Sequence, residues 1–121
     1  VDMQLRPSGR AGPLAVSVEA FEAYQRGQAW LWEHMALTRA RPVAGPPALL
    51  ERIAAVIRSV LASPRDPDRV LFTVADMRRR LAEQYGTDNP WSVKHVRGGL
   101  LDLEFIAQYL QLRHGADHPD I

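Results

Sequence analysis

The chain has 121 residues, 46% of them hydrophobic, with 15 basic against 14 acidic side chains and no cysteine. That is enough apolar material for one small domain with a core, and it excludes a disulfide framework, a thiolate metal site and a cysteine nucleophile. A net charge of +1 withholds the electrostatic footprint of a nucleic-acid or anionic-membrane binder, and no apolar run approaches the roughly 20 residues that span a bilayer; a soluble, cytoplasmic protein is expected, with neither nucleic acid nor membrane as partner.

The first nine residues alternate. Val1, Met3 and Leu5 point one way, and Asp2, Gln4 and Arg6 point the other, the period of a half-buried strand. Asp2 and Arg6 then share a face about 13 Å apart, at roughly 3.3 Å per residue. That spacing suits a metal at one end and a phosphate at the other; an edge strand with a solvated polar face is the alternative. Pro7-Ser8-Gly9 and Gly12-Pro13 punctuate a turn, and Leu14-Ala15-Val16 reads as a short returning strand.

A first helix is predicted from its N-cap Ser17 to about Arg41, where Pro42 and Gly45 stop it. Phe21, Tyr24, Leu31, Trp32 and Met35 share one face, with Trp30, His34 and Leu37 on the other, so this helix is expected to lie between two bodies. His34 reads as a packed histidine, since no zinc-ligand spacing surrounds it. Gly45-Pro46-Pro47 is the best boundary in the chain. Pro47 opens a second helix carrying Leu50, Ile53, Ile57, Val60 and Leu61, ended by Ser63-Pro64. Asp66 with Pro67 caps a third helix, whose seam of Val70, Leu71, Val74, Met77, Leu81 and Tyr85 closes at Gly86. The Arg78-Arg79-Arg80 run reads as a solvated face.

Asp88-Asn89-Pro90 makes another break, and after Gly98-Gly99 a fourth helix is predicted from about Leu100 to His114. Glu104, Gln108 and Gln111 form its one narrow polar stripe, so the helix should be largely buried. Asp102 lies opposite that stripe and must be paired, cap the helix start, or face a ligand. Lys94 is the only lysine, beside 14 arginines. Gly98 and Gly99 permit close backbone approach at the helix start, which suits an anion or a neighbouring domain.

Three segments together carry a family resemblance: Val1-Asp2-Met3-Gln4-Leu5-Arg6-Pro7-Ser8-Gly9, then Ala29 to Arg41 with its Trp30-Leu31-Trp32-Glu33-His34 core, then Gly98-Gly99-Leu100-Leu101-Asp102-Leu103-Glu104-Phe105 continuing to Leu110. In this order and spacing the chain resembles the glutamine synthetase adenylyltransferases, also called glutamate-ammonia ligase adenylyltransferases, large bifunctional enzymes of bacterial nitrogen control. The Trp-x-Trp-Glu-His wording, with Ser8-Gly9 after the proline, is similar to their C-terminal, adenylylating half.

The resemblance implies a mainly α chain: an N-terminal strand or hairpin left from a nucleotidyltransferase α/β sheet, then a bundle of about four helices. Residues 1–45 would be the end of the catalytic domain, and residues 46–121 the start of a helical domain shared with PII uridylyltransferases. It implies transfer of AMP from ATP to a tyrosine of glutamine synthetase, with Mg²⁺, and removal of that AMP by the enzyme's other half. Asp2 matches the third carboxylate of a metal site whose paired aspartates are absent from this sequence, so this chain alone is expected to be inactive. Arg6 would neutralise phosphate charge or brace the site. Gln4 stands where arginine is common.

Lys94, Gly98 and Gly99 would be cofactor-side residues, although His95 and Val96 stand where leucine and glycine are common. Lys94 would reach Asp102 or Glu104, or face the nucleotide cleft. Glu33, Arg39 and Arg41, with Asp102 and Glu104, would be structural or cleft support. Glutamine synthetase and a PII-type signal protein are the implied partners, and self-association of the chain is expected. The rival reading is a non-catalytic helical module that binds a regulatory protein or glutamine synthetase.

Overall fold

The computed structural model describes residues 12–118, which form five α-helices: α1 Val18–Gly27, α2 Leu31–Leu37, α3 Pro47–Leu61, α4 Pro67–Tyr85 and α5 Leu100–His114. The mainly α expectation holds, and the described residues contain no strand. Leu14-Ala15-Val16, expected as a returning strand, is irregular chain leading to Ser17. Among the described residues these three have no ladder partner, and a lone three-residue run gains too few backbone hydrogen bonds to hold as a strand. The opening strand expected over Val1–Gly9 lies outside the described residues.

Most helix boundaries follow from local chemistry. Ser17 Oγ accepts from the Ala20 N–H at 3.2 Å, and the Asp66 carboxylate accepts from the amides of Asp68 at 3.0 Å and Arg69 at 3.3 Å; each satisfies helix-start donors that have no intrahelical partner. Pro47 and Pro67 occupy first-turn positions where the missing N–H costs nothing. Gly86 ends α4, and its own N–H bonds the Ala82 carbonyl at 2.8 Å.

The predicted first helix does not run unbroken to Arg41. It ends at Gly27, and a second helix starts after Trp30 in extended backbone, running only to Leu37. Glycine weakens a helix interior by about 1 kcal/mol relative to alanine. The amides of Gln28 and Ala29 both turn back to the Tyr24 carbonyl, at 2.8 and 3.0 Å, closing α1.

The described helices divide into two compact units, one ending at Ser63 and one beginning at Pro64. In the first, α3 packs against both α1 and α2, with Leu37, Val56, Ile57 and Val60 buried together and Val18, Phe21, Ile53 and Leu61 packed around them. Burying each such side chain contributes about 1.5–3 kcal/mol. Arg26 of α1 also donates to Ser59 of α3 at 2.7 Å, and Arg52 of α3 pairs with Glu19 of α1. In the second unit α4 packs against α5, with Val70, Val74, Phe105 and Leu112 buried. No helix among the described residues is long and apolar enough to cross a membrane.

Leu112 is 2% exposed and Leu71 is 52% exposed. Leu112→Ala is expected to lower unfolding free energy by about 3 kcal/mol, and Leu71→Ala by less than about 1 kcal/mol. Urea unfolding of the two variants beside the parent measures both.

Candidate functional site

The Trp-x-Trp-Glu-His motif builds the corner between α1 and α2. Glu33 sits at the third position of α2, and its two carboxylate oxygens go different ways. Oε2 accepts from the Trp30 N–H at 2.8 Å, satisfying an amide at the helix start. Oε1 accepts from the Tyr24 hydroxyl at 2.9 Å, which ties α2 to α1. His34 Nε2 lies 2.9 Å from the Gln25 carbonyl; a carbonyl only accepts, so Nε2 carries the proton and donates. The motif's acid and its histidine thus fix a change of backbone direction, and His34 is a packed, hydrogen-bonded histidine as expected. Thr38 Oγ1 closes the other end of α2 by donating to the Met35 carbonyl at 2.7 Å.

Arg39 and Arg41 follow α2 and are exposed. Arg41 borders a cavity of 220 Å³ lined also by Phe21, Gln25, Glu33, Ile53 and Ile57. Gln25 is buried, and its Oε1 has no hydrogen-bond partner among the described residues, an arrangement that costs about 1–3 kcal/mol. From the sequence Tyr24 reads only as part of an apolar face and Gln25 as an ordinary helix residue, so neither the Tyr24 hydroxyl's bond to Glu33 nor the burial of Gln25 is apparent there. The usable signal was Gly27 followed six residues later by a glutamate, the wording of a helix stop and restart.

The second cluster is the turn into α5. The Asp102 carboxylate accepts from Arg78 Nε on α4 through Oδ1 and from the Gly98 N–H through Oδ2 at 2.5 Å. The Arg78 hydrogen bond, then the Gly98 amide, hold its carboxyl below the ordinary value of 3.8. Of the alternatives open for Asp102, pairing is realised, with a further hydrogen bond to the amide of Gly98 just before the helix. Arg78 therefore leaves the solvated face expected for the arginine run and turns to α5. Arg79 and Arg80 keep to that face: Arg79 pairs with Asp76 at 2.5 Å and Glu83 at 2.8 Å, and Arg80 with Asp76 at 2.8 Å.

The glycine pair serves this turn directly. Gly98 holds φ +80, a left-handed conformation that other residues adopt at a cost. A Cβ at Gly99 would lie 2.3 Å from the Val93 carbonyl oxygen, so the close approach allowed here is to the chain's own loop. The amides expected to face an anion are occupied: Gly99 N–H bonds Val96, Leu100 N–H bonds Val93 at 2.9 Å, and Leu101 N–H bonds Lys94 at 3.2 Å. The Lys94 side chain is exposed, and so is Glu104. Tyr85 and His95 stack loosely beside the turn with ring centres 5.9 Å apart.

Asp2 and Arg6, the expected catalytic pair with Asp2 as metal ligand, lie outside the described residues. Among the described residues no three of His, Asp or Glu come together as a metal ion would need.

The described helices and their two carboxylate-pinned turns define a helical scaffold that orients backbone. The model of the glutamate-ammonia ligase adenylyltransferase family matches residues 1–80. Over all 121 residues the chain is 54% identical to the bifunctional glutamine synthetase adenylyltransferase/adenylyl-removing enzyme of Rhodopseudomonas palustris strain TIE-1, 52% to that of Bradyrhizobium sp. and 49% to that of Xanthobacter autotrophicus. The chain belongs to the glutamate-ammonia ligase adenylyltransferase family, and it spans 12% of the length of those relatives.

Because the Asp102 carboxyl is depressed in the folded state, its contribution is complete above the unfolded value and is lost as pH falls through the lower folded one. Asp102→Asn is expected to be less stable than the parent by about 1 kcal/mol near neutrality. That gap should shrink steadily below the ordinary value of 3.8. Urea midpoints of both proteins across acid and neutral buffers measure it; a gap independent of pH would contradict the ion pair.

Proposed function

We propose that this chain is a segment of an enzyme that transfers AMP from ATP to a tyrosine of glutamine synthetase, and that it belongs to the adenylylating half of that enzyme. The observation that carries this reading is 54% identity along all 121 residues to a bifunctional glutamine synthetase adenylyltransferase/adenylyl-removing enzyme. Residues 1–45 would close the catalytic domain, and residues 46–121 would open the helical domain. A PII-type signal protein would be the regulatory partner, and the bacterial cytoplasm the setting.

In this reading Asp2 is one carboxylate of a Mg²⁺ site whose remaining donors are supplied from outside this sequence. The metal, when bound, would neutralise phosphate charge and favour ionisation of the attacking tyrosine hydroxyl. Arg6, on the same face of the proposed strand, would hold phosphate oxygens through its planar fork. Glu33 would act at a distance, by fixing the corner through which the α2 segment leaves the catalytic domain; Arg39 and Arg41, exposed beyond it, would pair with that domain. At the turn into α5 the Gly98 and Gly99 amides are bonded within the turn, and the exposed Lys94 beside them would be a cation able to meet a phosphate there.

The full-length family enzyme carrying this segment tests the reading. Asp2→Ala is expected to reduce AMP transfer at least about a thousandfold, the scale of losing a group that stabilises transition-state charge, while leaving far-UV circular dichroism unchanged. Full turnover in that variant would remove Asp2 from the site. The 121-residue chain alone is expected to transfer no AMP.

A second reading, a non-catalytic helical module that binds a regulator or glutamine synthetase, is favoured by the large apolar side chains the helices leave exposed, Trp32, Leu103 and Ile106 among them. It requires that the 121-residue chain by itself bind the signal protein or the synthetase in calorimetry, with the same affinity whether or not Mg²⁺ is present. No heat of binding to either protein would retire it.

A further inference from the structure

The side of α5 that faces away from its buried residues is apolar. Phe105, Gln108 and Leu112 are the buried residues of this helix. Opposite them lie Leu103, Ile106, Ala107 and Leu110, of which the three large side chains are 60%, 55% and 45% exposed. Their spacing is i, i+3, i+4, i+7, the spacing with which one helix meets another. An ordinary surface helix puts charge outward; α5 turns Gln108 inward and leaves leucine and isoleucine in water. Beside this stripe an apolar groove of 490 Å³ runs between α4 and α5, with Leu71, Val74, Phe105, Ile106 and Tyr109 among its walls.

The charges around the stripe say what suits it. At the polar end of the groove Asp102 pairs with Arg78 and also lies in the field of Arg97, two arginines against one carboxylate; Arg97 is exposed just before α5 and Arg113 is exposed in its last turn. A helix laid along α5, whose 15 residues span about 22 Å at 1.5 Å per residue, meets positive charge near both ends, beyond an apolar stripe about 10 Å long. A second copy of this chain is a poor match. Antiparallel, Arg97 of one copy would face Arg113 of the other; parallel, each arginine would face its twin, and like charges oppose association either way. The chain spans only 12% of the length of its relatives, so most of a family-length polypeptide lies outside it.

We propose that the stripe and groove seat an amphipathic helix from the remainder of the family-length polypeptide, with apolar residues at the same spacing and acidic side chains toward Arg97 and Arg113. Burial of this face, not catalysis, is what distinguishes the proposal from a free surface. It stands whether or not the chemistry proposed above is right.

Thiol labelling reads that burial directly, because this sequence contains no cysteine. Ile106→Cys and, separately, Leu103→Cys are introduced into the 121-residue chain and into the full-length enzyme, with Glu83→Cys, on the charged face of α4, as control. Maleimide modification is followed peptide by peptide in mass spectrometry, at helix content matched by circular dichroism. Positions 103 and 106 are expected to react at least about tenfold more slowly in the full-length enzyme, a protection worth about 1.4 kcal/mol, while position 83 reacts alike in both. Adding Arg97→Glu with Arg113→Glu in the full-length enzyme should raise the rate at 106 at least about threefold by repelling an acidic partner.

Equal rates at 103 and 106 in the two proteins overturn the proposal. So does slow labelling already present in the 121-residue chain together with a dimer in sedimentation, which would make the occupant a second copy. An unchanged rate at 106 after the arginine reversal overturns the acidic-flanked helix.

Discussion

A helix start exposes amides that its own hydrogen bonds cannot satisfy, and at two starts in this chain the solution is a carboxylate that turns back on the backbone. Glu33 accepts from the Trp30 N–H and Asp102 from the Gly98 N–H. In each case the second oxygen binds a neighbouring helix, the Tyr24 hydroxyl of α1 or Arg78 of α4. One side chain thereby sets both where a helix begins and what it packs against. The α1–α2 corner and the α4–α5 pairing each take their direction from one of these carboxylates, while buried side chains such as Leu112 supply the larger share of stability.

Those pins matter because the interior is thin. Leu37, Val56, Ile57 and Val60 make the buried cluster of the first unit, while Trp30, Trp32, Leu71, Phe72, Trp91, Leu103 and Ile106 are all well exposed. That much apolar side chain at the surface is unusual for an independent small domain. It accords with a segment covering 12% of its relatives' length, in which directed hydrogen bonds hold helices in place for surfaces contributed from elsewhere.

Helix ends set by neighbours in sequence were legible without coordinates. Ser17, Asp66, Pro47, Pro67 and Gly86 act within four residues of themselves, so their identities announce the boundary. The break after Gly27 was not legible from periodicity, since Phe21, Tyr24, Leu31 and Met35 continue a 3.6-residue pattern across it. Arg78 looked like one of three equivalent arginines, and only the approach of α5 separates it from Arg79 and Arg80. For the candidate site, the family motifs singled out Glu33, Asp102 and the glycine pair, all of which the structure places at helix starts. The motif did not say that position 98 needs a left-handed backbone and that position 99 lets the chain pack on Val93 and Val96.

The sequence by itself determined family, mainly α class and most helix ends, because caps, glycines and motif wording are local and survive reading in one dimension. Tertiary structure alone decided the direction each side chain faces. The α5 pattern is apolar on nearly every side and therefore carries no preferred inward face; α4 chose it, by pairing Arg78 with Asp102 and drawing Phe105, Gln108 and Leu112 inward. Rotation of a helix about its axis is set by what it packs against, and that partner lies more than 20 residues away in the chain.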